Sequence, residues 1–60
     1  MKFVVEVVYP NIFRKFALMT QVEEFPHAVD AIRFVRRWQR VHADRPKCQI
    51  VSYKITLVKE

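Results

Sequence analysis

One stretch, Pro26 to Ala43 (PHAVDAIRFVRRWQRVHA), is the only run of the chain with sustained helical periodicity, and it constrains everything around it. At 100° per residue Ala28, Ala31, Ile32, Val35, Trp38 and His42 share one face, and Arg33, Arg36, Arg37 and Arg40 share the opposite one. A single helix therefore carries both a core stripe and the densest positive charge in the chain. Pro26 suits the first helical turn, where a missing N–H costs nothing, and Pro46 requires the helix to end before it. Glu23 and Glu24 then fall near the positive end of the helix dipole and the arginines toward its negative end.

The segments on either side alternate with the period of strands. In MKFVVEVVY, Met1, Phe3, Val5, Val7 and Tyr9 share one side, and Lys2, Val4, Glu6 and Val8 share the other. Pro10-Asn11 predicts a tight hairpin turn with Tyr9 facing Ile12. That register sets Phe3, Val5 and Val7 against Leu18, Phe16 and Arg14 on one face. On the reverse it sets Glu6 against Lys15, an opposite-charge pair, and Val4 against Ala17. The turn contains no glycine, and proline cannot supply the positive φ of the usual primed hairpin turns. A last strand is predicted from about Cys48 to Val58, with Val51, Tyr53, Ile55 and Leu57 on one face.

A β-β-α-β order with a right-handed crossover leaves the first strand between the other two. The expected fold is thus α+β: one domain spanning residues 1–60, an antiparallel or mixed three-stranded sheet of order 2-1-3, and one amphipathic helix on one face. Trp38 and Ile32 are expected over Phe3, Val5, Phe16, Leu18, Tyr53 and Ile55, with Gln39 turned toward the core. Phe34 and Val41, on the flank of the stripe, suit either an extension of the core or the edge of an interface. The rear sheet face keeps Val4, Val8, Phe13, Ala17, Met19, Ile50 and Val58, more apolar surface than a solvated face needs, which predicts a homodimer interface there.

Size sharpens that expectation. A chain of 60 residues hides only about 60% of the surface its unfolded form exposes, so its core is thin. One cysteine, Cys48, excludes an intrachain disulfide and leaves self-association as the usual remedy. The lone thiol also points to a reducing, cytoplasmic setting. No segment reaches the roughly 20 apolar residues of a membrane span, so no membrane partner is expected.

The formal charge is +5, and six basic residues against Asp30 and Asp44 between Pro26 and Lys47 account for +4 of it. Such a balance favours polyanionic partners. Planar, multi-donor guanidiniums two turns deep on one helical face suit successive phosphates, and Asp30 is the only acid on that helix. The predicted nucleic-acid contacts are Arg33, Arg36, Arg37 and Arg40, helped by Arg45 and Lys47. Little base preference is expected, because no Asn or Gln accompanies the arginines on their face. The second expectation is a protein-interaction or inhibitor module that uses the apolar rear face, an open strand edge, or the basic helix against an acidic protein surface.

Enzyme chemistry finds little support. The chain has no glycine, hence no phosphate-cradling glycine loop. Glu23 and Glu24 are adjacent and diverge, so they make no acid/base pair. His27, His42 and Cys48 match no closed zinc spacing, and no Cys–His pair comes with an oxyanion signal. The expectation is a non-enzymatic binder with no catalytic residue, metal or cofactor.

Overall fold

The computed structural model describes residues 1–59. The elements run β1 (Lys2–Asn11), a 3-10 turn (Ile12–Arg14), β2 (Ala17–Phe25), α1 (Ala28–Val41), a second 3-10 turn (Pro46–Cys48) and β3 (Ser52–Val58). The sheet is antiparallel throughout with order β2-β1-β3, so the strand most apolar on both faces is the central one, and the fold is α+β. No helix is long and apolar enough to cross a membrane.

The core is as thin as the length implies. Val5 and Val7 of β1 and Ala31 and Val35 of α1 are its buried centre. Ala31 lets the helix approach the sheet closely, because a methyl group is all that separates its backbone from the valines. Aromatic contacts then pin the helix at both ends of the hairpin. Phe34 meets Phe25 with ring centroids 5.5 Å apart, and Trp38 meets Tyr9 at 4.8 Å. Phe34 therefore extends the core, while Val41 remains exposed. This lean toward β1 and β2 leaves β3 less covered than expected: Tyr53 is 53% exposed, Leu57 and Ile32 are also open, and Gln39 lies at the surface.

The hairpin differs most from its expected form. Tyr9 faces Met19, not Ile12, and Asn11 faces Ala17, so Ile12 to Phe16 form a five-residue loop. The reason lies in the turn. Pro10 cannot take positive φ, so the chain runs past it, and the Asn11 side chain accepts a hydrogen bond from Phe13 N at 2.8 Å to start the 3-10 turn. Reversal is completed by Lys15 (φ 53°, ψ 41°) and Phe16 (φ 64°), both left-handed, and Phe16 N donates to Asn11 O at 2.8 Å. Pro10 itself is tolerated within β1. Val51 N donates to Val8 O, so the even positions of β1 turn their polar groups toward β3, which ends before Pro10.

A partner seven residues later is an odd shift, and an odd shift exchanges the faces of β2. Met19, Gln21, Glu23 and Phe25 come to the helix side, and Leu18, Thr20, Val22 and Glu24 to the rear. The expected Glu6–Lys15 and Val4–Ala17 pairs are not formed. Glu6 faces Val22 on one side and Lys54 on the other, and Val4 faces Glu24 and Thr56. Glu24 reaches Lys2 Nζ at 2.8 Å, and Glu23 accepts from Gln21 Nε2 at 3.0 Å. Both glutamates thus belong to β2 and not to the helix start.

The rear apolar patch is correspondingly redrawn. Val4, Val8 and Val58 lie there as expected, but Met19 is on the helix side, Ile50 packs against the core, Phe13 stands at the hairpin apex, and Ala17 begins β2 opposite Asn11. Leu18 and Val22, unforeseen on this face, join it.

Two element bounds also move. The helix starts at Ala28, with His27 extended (φ −129°, ψ 144°) as its cap, so Pro26 precedes the first turn instead of entering it. The third strand starts at Ser52, since Pro46 turns the chain into a 3-10 segment and only after Val51 does pairing with β1 begin.

Candidate nucleic-acid interface

The outer face of α1 is built by exclusion. Once Ala31, Val35, Phe34 and Trp38 turn to the sheet, the 3.6-residue period sends Arg33, Arg36, Arg37 and Arg40 outward. All four are exposed, and together they line one shallow surface depression. Among the described residues none of the four is ion-paired. Their backbone positions span about 10 Å along the axis, roughly the rise of three nucleotides on one strand. Guanidiniums so placed offer several donors to a row of phosphate oxygens, and little to base edges.

Arg45 and Lys47 extend the charge away from the helix face. The loop after α1 is tied back by Gln49, whose Nε2 donates to the main-chain oxygens of Gln39 and His42 and so satisfies carbonyls of the last helical turn. Arg45 N donates to His42 O at 3.0 Å, and Cys48 N to Arg45 O at 2.9 Å. Lys47 is carried toward the hairpin loop, where its Nζ stands 5.9 Å from the centroid of the Phe16 ring. The six predicted residues therefore divide into a group of four on the helix and two in the loop that follows it.

Arg14 and Lys15 are two further exposed basic residues, in the hairpin loop. A strand reading placed Arg14 on the core face and Lys15 opposite Glu6, whereas both are exposed in the hairpin loop. The signal was present: Arg14 was the one residue interrupting an otherwise apolar face.

His42 and Cys48 do come together, lining one cavity with Tyr9, Phe13 and Trp38. His42 Nδ1 lies 3.1 Å from Trp38 O, and the free thiol is half-buried. Among the described residues no three His, Cys, Asp or Glu side chains are grouped to hold a metal ion.

Comparisons with family models, with curated proteins and with solved structures give no match.

Proposed function

We propose that this protein is a non-enzymatic nucleic-acid binder that tracks the phosphate backbone with little sequence preference, through Arg33, Arg36, Arg37 and Arg40 on the outer face of α1. The observation that carries the reading is the set of four exposed guanidiniums, unpaired among the described residues, around one depression. A helix face that serves only solvation ordinarily mixes acids with bases, and here Asp30 is the one acid, in the first turn. Each phosphate neutralised releases counterions, so affinity falls with salt by about 0.9 log-log units per contact on duplex DNA. In a titration of random-sequence duplex against salt, Arg36→Ala with Arg40→Ala flattens the slope by about two units. Binding that ignores both salt and the double substitution would refute the reading.

A second use, self-association, is favoured by the rear sheet face. Leu18 is 60% and Val22 55% exposed there, beside half-buried Val4, Val8 and Val58. Packing two such faces together leaves both helices outward and both arginine faces free.

A further inference from the structure

We propose that Phe13, at the apex of the β1–β2 hairpin, is a wedge that enters and partly unstacks a base step of the duplex held by the arginines; the proposal rests on the phosphate-binding reading above. Phe13 is 93% exposed, the highest value among the large apolar side chains, with Ile12 and Phe16 also open on either side of it. A chain with so few core residues places a full aromatic ring in solvent in its hairpin loop.

The apex is held in one shape. The Asn11 side chain accepts from Phe13 N, Phe16 N closes the loop on Asn11 O, and both distances are 2.8 Å. Two bulky residues in succession, Lys15 and Phe16, hold the left-handed conformation that glycine or asparagine adopts at lower cost. Strained backbone of this kind concentrates where a side chain must be presented in a fixed direction. A wedge benefits from that rigidity, because unstacking a step is itself costly and a mobile ring would add the cost of its own ordering.

Charge selects the occupant. Arg14 and Lys15 follow Phe13 directly, and Lys47 flanks the same loop over Phe16. The Gln49 hydrogen bonds attach the Lys47 segment to the last turn of α1, which carries Arg40. The basic segment that follows α1 thus reaches from the last helical turn to the hairpin loop. An exposed apolar side chain in a loop that also carries cations matches an opened base step, whose stacked interior is apolar and whose two flanks are phosphate. Inserted apolar side chains of this kind kink a duplex and enlarge the surface it shares with the protein.

The test uses the full chain and a duplex carrying 2-aminopurine, whose fluorescence rises when its step unstacks, with salt titration in parallel. Wild-type protein raises the fluorescence on binding, Phe13→Leu retains the rise, and Phe13→Ala loses it while keeping the salt slope. No folding defect is expected of Phe13→Ala, since the ring it removes is already in water. Steep salt-dependent binding without a rise, or a rise that survives Phe13→Ala, overturns the wedge and leaves the phosphate reading standing. Absence of salt-dependent duplex binding overturns both. Vesicles containing phosphatidylserine form the control arm: Phe13-dependent binding to them, with no unstacking of the duplex, assigns the apex to anionic lipid and overturns the proposal.

Discussion

Trp38 leans on Tyr9 with ring centroids 4.8 Å apart and planes inclined at 55°, joining helix to central strand at the end of the sheet where the hairpin and the loop after α1 converge. The same indole meets Phe34 edge-on at 6.0 Å and the His42 ring at 5.7 Å, so one side chain ties two turns of α1 and its C-cap to β1, around a core whose buried centre among the described residues is four side chains. Its Nε1 is buried without a hydrogen-bond partner among the described residues, which subtracts about 1 to 3 kcal/mol from what the packing contributes.

Two substitutions at Trp38 should therefore part company. Trp38→Ala removes the packing and costs about 3 to 5 kcal/mol, enough to unfold a marginal domain. Trp38→Phe keeps the ring contact with Tyr9 and deletes the unsatisfied donor, so its cost stays below about 1.5 kcal/mol. Urea denaturation followed by far-UV circular dichroism measures both. Equal losses would show that the indole nitrogen is not a burden to the fold.

The hairpin loop stores strain that a single change releases. Lys15 sits at φ 53° and ψ 41° with a side chain fully outside the core. Glycine there relieves a left-handed penalty of about 1 to 2 kcal/mol, offset by up to about 1 kcal/mol of extra freedom in the unfolded chain. The expected outcome is a net gain of up to about 1 kcal/mol and a Tm higher by several degrees, since 1 kcal/mol is worth roughly 4 to 8 °C at this size. A thermal melt in which Lys15→Gly is less stable than wild type would place the strain elsewhere.

The loop after α1 depends on Gln49. Its amide supplies donors to Gln39 O and His42 O at that helix end, beside the His42 ring whose Nδ1 lies 3.1 Å from Trp38 O. Gln49→Ala should cost about 1 kcal/mol, the ordinary net worth of such a hydrogen bond, and should raise hydrogen exchange at Ala43, Arg45 and Cys48 before it affects the strands. Exchange that quickens equally in β1 would mean that the loop opens only with the whole domain.

What could be read in the sequence followed the strength of each period. The helix, the central position of β1 and the outward arginines rest on many residues that agree, and β3 kept its predicted faces because Tyr53, Ile55 and Leu57 alternate without interruption. The hairpin rested on two residues. Pro10-Asn11 was compatible with a two-residue turn, but the left-handed conformations were taken up by Lys15 and Phe16, whose types give no local sign of it. An apparent Glu6–Lys15 pair reinforced the wrong register by coincidence of charge. The same error placed Arg14 and Lys15 within a strand, whereas both are exposed beside Phe13 in the hairpin loop. The lean of the helix toward β2 followed from aromatic contacts with Phe25 and Tyr9 that a helical wheel, lacking the other partner, does not contain.

The corrected faces of β2 decide how self-association should respond to substitution. Leu18 and Val22 lie on the rear with Val4, Val8 and Val58, whereas Met19 lies on the helix side. Burying each such aliphatic group against a second copy contributes roughly 1.5 to 3 kcal/mol, in a domain whose core leaves little margin. The rear is not uniformly apolar: Glu6 lies within it, between Val4 and Val8 and facing Val22 and Lys54, and the Lys2–Glu24 pair adds further charge. A two-fold axis can set such acids against the partner's bases and fix the orientation of the two copies. Sedimentation at micromolar concentration should accordingly give a homodimer, dissociated by Val22→Lys and salt-sensitive through Glu6 and Lys54. Met19→Glu should leave the dimer intact, its side chain being on the opposite face. Dissociation by Met19→Glu but not by Val22→Lys would locate the contact on the helix side, and a monomer with an intact melting transition would show that four buried residues and their aromatic flank are enough to hold the chain folded alone.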